Sequence, residues 1–162
     1  MIRASRTLLK GAILALFCFL GLALTTSAAE FRTEGLEIVR HDGRALDFIV
    51  EVATDEGQRE QGLMNRQSMK SDRGMLFDFS TDKPVYMWMK NTYLPLDMLF
   101  IDRDGKITYI KRNTLPLSED IIASQGPVRF VLEINAGVSD TLGIKIGDTV
   151  KSMQVARAKS GG

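Results

Sequence analysis

Six side chains in this chain have the chemistry to form a site. Trp88, Lys90 and Asn91 fall in the run Tyr86-Met87-Trp88-Met89-Lys90-Asn91-Thr92, and Arg66, Asp97 and Glu133 are charged residues in other patterned stretches. A cation and an amide inside an apolar run need an explanation, because unpaired polar groups are costly in a core. In one arrangement they form a small cleft. Trp88, at least half buried, is an apolar wall; Lys90 and Arg66 bind an anion or sugar oxygens; Asn91 orients the ligand. In the other arrangement they hold the fold: Lys90 lies along Trp88 and pairs with Asp97 or Glu133, and Asn91 closes a turn. The residues alone favour the structural arrangement, since half-buried polar networks commonly specify folds. Asp97 and Glu133 are also the candidates for catalysis, because glycosidases act through two carboxyls about 5–9 Å apart.

Other reactive types are scarce. There is one Cys, Cys18, and one His, His41. A single His in a turn-like His41-Asp42-Gly43-Arg44 cannot make a zinc site unless several carboxylates converge on it. Met64, Met69, Met75, Met87, Met89 and Met98 could offer thioethers to Cu(I). They are interleaved with Leu, Phe and Ile, however, and Met is a common gap-filler in cores. No metal and no cofactor is expected.

These residues require strands to position them. Leu36–Arg40 and Leu46–Ala53 read as two strands around a turn, with alternation at Phe48, Val50 and Val52. A short helix is expected near 55–62, with Thr54 able to cap it. Strands are expected next over Met75–Phe79, Val85–Asn91, Leu96–Ile101 and Lys106–Lys111, the last two joined by Asp102-Arg103-Asp104-Gly105. Residues 112–127 read as a long surface loop. Val128–Ile134 is a clear strand, and Thr149–Val155 the last. Short strands, many glycine turns and alternating patterns predict a mainly β domain, an antiparallel sandwich or barrel with one short helix.

Residues 1–29 read as a secretory signal. Arg3, Arg6 and Lys10 precede the apolar Gly11–Leu24, and Ser27-Ala28-Ala29 supplies a small-residue cleavage site. The apolar stretch is shorter than the roughly 20 residues a membrane span needs. Removing residues 1–29 takes three of the 21 basic residues and none of the 20 acidic ones, leaving a net charge of −2. The single domain is then 30–162, with its core at about 35–156. It has no Cys and therefore no disulfide, no stable membrane anchor, and no clustered basic surface for nucleic acid.

Several stretches together resemble the uncharacterised family known as domain of unknown function 192. They are Gly62-Leu63-Met64-Asn65-Arg66, Gly74-Met75-Leu76-Phe77, Trp88-Met89-Lys90-Asn91-Thr92, Pro95-Leu96-Asp97, Phe100-Ile101, Asp104-Gly105, Val131-Leu132-Glu133, Gly137 and Gly143-Ile144-Lys145-Ile146-Gly147-Asp148. Met87 stands where an aromatic residue is more usual. The resemblance implies a small, mainly β, often exported domain and supplies no catalytic residues. The expected function is a non-catalytic binding or accessory module of the periplasm or cell envelope, or a secreted one. It would be monomeric, with a small molecule, a saccharide or an envelope protein as partner. The alternative is a carboxylate-dependent hydrolase acting on a saccharide or cell-wall fragment; copper handling through Met is a third. The exported form is expected to begin at Glu30. Intact-mass measurement on protein recovered outside the cytoplasm checks this, and a product retaining residues 1–29 refutes it.

Overall fold

A computed structural model describes residues 30–160. The stretch read as an export signal, with Cys18, lies outside the described residues. Among the described residues seven strands form one sheet: β1 (Arg32–Val39), β2 (Ala45–Ala53), β3 (Arg73–Met87), β4 (Leu96–Ile101), β5 (Ile107–Lys111), β6 (Ile122–Asn135) and β7 (Thr149–Ser152). Their spatial order is β5-β4-β6-β3-β2-β1-β7. The sheet curls until its two edges approach. Lys106, just before β5, bridges Thr149 of β7, and the Val150 N–H donates to the Gly105 carbonyl at 2.6 Å. Gly105 has φ +82°, and a Cβ there would run into the Val150 carbonyl, so only glycine permits the approach. The expected barrel-like β domain is present.

The sheet is antiparallel except between β2 and β3, which run parallel from Ile49↔Arg73 to Ala53↔Phe77. The crossover needed for a parallel pair is residues 54–72, which contain helix α1 (Glu56–Gln61). This is the helix expected from the sequence. Its cap is Asp55, not Thr54, in a reciprocal capping box with Gln58. Two further short helices occur, α2 (Val138–Thr141) and α3 (Met153–Ser160). The predicted last strand stops at Ser152, because Val155 and Ala158 turn inward on α3 to pack on the core.

Other boundaries differ for local reasons. The strands expected at 75–79 and 85–91 are two arms of the single β3. Its register against β6 shifts between Asp78 and Lys83, and Ser80 has φ +68°. The buried Asp78 carboxylate fixes this bulge by accepting from the Ser80 N–H (2.7 Å), Gln154 Nε2 (2.7 Å) and Arg129 Nε (3.2 Å). Bulges bend a strand and re-aim the side chains beyond them. The expected loop 112–127 becomes strand from Ile122, with Pro127 opposite Pro84, where the ladder is already interrupted.

Alternation divides the core into two clusters on opposite faces of the sheet. Leu76, Leu99, Ile101, Phe130, Leu132 and Ile134 face one way with Ile38, Val50 and Val150. Met75, Phe77, Met98, Phe100 and Val131 face the other with Leu63, Val85, Met87 and Met89. Successive strand residues point to opposite faces, so Asp97, paired with Ile134, belongs to the first face. Its fully buried carboxylate accepts from the Asn113 N–H (2.9 Å), the Ser139 N–H (3.0 Å) and Ser139 Oγ (2.7 Å).

Asp97 is therefore a structural clamp between β4, the segment after β5, and α2. Asp97→Ala leaves three donors unsatisfied and is expected to cost about 3 kcal/mol or more. Chemical denaturation measures it, and a loss below about 1 kcal/mol refutes the clamp.

Candidate functional site

A cleft of about 360 Å³ opens on the second face. Its walls come from α1 and the turn after it, from both arms of β3, and from residues 88–92. At Gly62, φ is +46° and a Cβ would lie 3.3 Å from the Phe77 ring, so glycine lets the chain close down on Phe77 and set Leu63 and Met64 into the wall. Beyond the bulge, Met87 points inward and Tyr86 outward. Regular strand ends at Met87, three residues before the expected Lys-Asn-Thr segment. That segment is instead a turn, with Asn91 at φ +54°.

The turn is pinned on both sides. The Asn65 N–H donates to the Asn91 carbonyl at 2.9 Å, the Thr92 N–H to Met89 at 3.0 Å, and the Met89 N–H to Ser118 at 2.9 Å. The Asn91 amide nitrogen lies 3.9 Å from Met64 Sδ. Asn91 thus closes a turn and is not among the cleft's lining residues.

Trp88 keeps 42% of its surface exposed, so it walls the mouth and is not a deep core residue. Lys90 Nζ sits over its ring, 5.0 Å from the centroid. Lys90 makes no ion pair with Asp97 or Glu133, in contrast to the structural arrangement the sequence favoured. Two further cations, absent from the residues singled out by sequence, share the cleft. Arg59 and Lys83 both lie over Phe79, at 5.7 and 5.8 Å. The Arg59 guanidinium also donates to the Thr54 and Asp78 carbonyls. No motif marks these two; they meet through the helix cap and the β3 bulge.

Glu133 lies at the floor. On β6 it pairs with Met75 on one side and Met98 on the other, among the apolar residues of the second face. It is 4% exposed, and burial pushes its carboxyl up to about 8. No cation pairs with it among the described residues. Asp97 and Glu133 consequently point to opposite faces of the sheet, and the paired-carboxylate scheme loses its geometry.

Arg66 lies elsewhere. Its guanidinium forms a two-pronged pair with Glu51 at 2.5 and 2.7 Å in a separate recess with Thr33 and Ser68. The Glu51 hydrogen bond raises its pKa further. His41 Nδ1 lies 2.6 Å from the buried Asp148, which also accepts from the His41 and Lys145 N–H groups. This fastens the β1–β2 turn to the 143–148 turn. Of the methionines, Met75, Met87, Met89 and Met98 are buried packing in the second cluster, and Met69 packs against it. Among the described residues no group of three or more His, Cys, Asp or Glu is placed to hold a metal.

The model of the family DUF192, "Uncharacterized ACR, COG1430", matches residues 37–152. The chain belongs to the DUF192 family. A solved structure from Sinorhizobium meliloti 1021, described as a candidate transcription regulator, is 51% identical and has a TM-score of 0.76. The match covers 78% of this chain and 98% of that one. A protein of unknown function from Novosphingobium aromaticivorans DSM 12444 is 33% identical, with a TM-score of 0.69 over 72% of this chain and 83% of that one. No curated protein gives a significant match. This DUF192 chain therefore shares its fold with solved relatives, and its cleft is read from its own side chains.

The state of Glu133 gives a signed pH dependence. A carboxyl whose folded pKa is raised from 4.5 to about 8 stabilises the fold fully below the unfolded value. That contribution is lost as pH rises through about 8, because the unfolded state releases its proton first. The stability difference between the native protein and Glu133→Gln is expected to shift in the variant's favour between about pH 5 and 8. The slope is up to about 1.4 kcal/mol per pH unit. Urea denaturation of both proteins across that range tests it; parallel stability curves would place the carboxylate in water.

Proposed function

We propose that this protein is an exported, non-catalytic binding or accessory module, periplasmic or secreted and monomeric, whose ligand occupies the cleft between Trp88, Lys90 and Glu133. The observation that carries the reading is Glu133. An unpaired carboxyl in an apolar layer opposes stability, and strongly perturbed acids beside a cleft are candidate functional groups. Held neutral, it can donate a hydrogen bond from the floor, while Lys90 and the Trp88 ring meet the ligand at the mouth. The two relatives with solved structures do not name a ligand. Regulation by direct DNA contact finds no support in the charge balance, 18 basic against 20 acidic residues after Ala29.

The hydrolase reading retains one element. Glu133 has the raised pKa of a general acid, and Glu56 and Glu60 of α1 line the same cleft, so a second carboxyl would come from α1 and not from Asp97.

A thermal-shift screen of saccharides, wall fragments and anions tests the reading. A compound that raises the melting temperature should lose its effect on Trp88→Ala and Lys90→Met. Lys90→Met itself should change stability by less than about 1 kcal/mol, the scale of an exposed cation–π contact. If Lys90→Met unfolds the protein, or if no variant of the cleft alters any binding found, the ligand site lies elsewhere. Release of a hydrolysis product, lost on Glu133→Gln, would promote the enzyme.

A further inference from the structure

The loop fastened to the cleft wall exposes large apolar side chains, with the acids Glu119 and Asp120 exposed among them. Beside Tyr86 and Trp88, the loop before β6 sets out Leu115 (70% exposed), Leu117 (53%) and Ile121 (63%). This loop is fastened to the cleft wall. The Leu117 N–H donates to the Thr92 carbonyl at 3.1 Å, the Met89 N–H donates to Ser118, and Ile122 pairs with Met87. Leu117 has φ +62°, a region that residues other than Gly, Asn and Asp rarely adopt. A leucine held there and turned to water is unfavourable on both counts. Such outliers cluster at ligand clamps.

The charges around the cleft are asymmetric. Lys83, Lys90 and Arg59 each lie over an aromatic ring, and none has a carboxylate partner among the described residues. Glu56 and Glu60 line the α1 side. Between them the wall is Leu63, Phe77, Phe79 and Met87. The lining sets apolar area directly beside cations that have no carboxylate partner among the described residues, the pairing an anionic amphiphile uses.

We propose that the cleft binds a single anionic amphiphile. Its hydrocarbon chain packs on the Leu63, Phe77 and Met87 wall and leaves over the Leu115–Leu117 apron. Its anionic head is held by Lys83, Lys90 and Arg59. This inference rests on the proposed function and specifies its ligand class.

Trp88 is the chain's single tryptophan, so its fluorescence reports on the cleft directly. The protein is titrated with monomeric decyl phosphate, decyl maltoside and inorganic phosphate, with calorimetry as a second readout. Decyl phosphate should bind saturably and at least about tenfold tighter than either of the others, since a hydrogen bond to a charged group is worth about that factor. Lys90→Met and Lys83→Met should each weaken it by about tenfold, with unchanged urea midpoints. Leu117→Ser should weaken decyl phosphate and leave inorganic phosphate unaffected. Equal binding of decyl maltoside overturns the role of the cations, equal binding of inorganic phosphate overturns the role of the chain, and absence of saturation overturns the proposal outright. A saccharide that binds through Trp88 when decyl phosphate does not would remove the amphiphile and keep the binding cleft. Failure of every compound in both experiments would remove both.

Discussion

Strand β4 and the central stretches of β3 and β6 are buried on both faces, and this double burial constrains the rest of the structure. β4 has no solvated residue at all, and β6 is buried continuously from Phe130 to Ile134. With ladders to β3 on one side and β4 on the other, β6 cannot slip by one residue without exchanging its two faces. Residue 133 must therefore point into the second layer, whatever its side chain. Gly74 draws the strands closer still, for a Cβ there would stand 2.5 Å from the Glu133 carbonyl oxygen. The acid's outlet is the cleft it lines.

The same constraint separates two carboxylates that look alike in the sequence. Asp97 and Glu133 both sit in apolar strands, and their strands are neighbours. One residue of register decides between them. Asp97 meets two donors on Ser139 of α2 and the Asn113 N–H after β5, and becomes a clamp; Glu133 meets methionines and has no cation partner among the described residues. A buried acid satisfied by donors specifies the fold, while one left unsatisfied is a standing cost that a ligand could relieve. That difference depends on what lies across the sheet, and no local pattern encodes it.

Much of the architecture was legible in the sequence because it depends on alternation and turns. The β1–β2 hairpin, α1 and the β4–β5 hairpin all arise from such local signals. The misses have a common physical origin in tertiary packing. Val155 looks like the end of a strand, and it is turned into a helix together with Ala158 by the core they cover. The β3 bulge depends on Asp78 being met by Arg129 and Gln154 from distant parts of the chain. The parallel β2–β3 pair was hidden because β2 alternates like an edge-facing strand, with Ile49 outside and Val50 inside. In the candidate site, Trp88 and Lys90 were visible as polar and aromatic residues out of place in an apolar run. Arg59 and Lys83 carried no such mark, and Arg66 was claimed by Glu51.

The seam between the sheet's edges also sets an order of assembly. β7, which comes after every other strand in the sequence, adds to β1 near the opposite end of the chain and meets the residue before β5. Contacts of such long sequence separation form slowly. The curl cannot shut until the last strand is available, and α3 then seals it with Val155 and Ala158. A chain lacking β7 would keep the free edges of β1 and of the segment before β5 bare, each a row of unpaired backbone groups open to pairing with another chain.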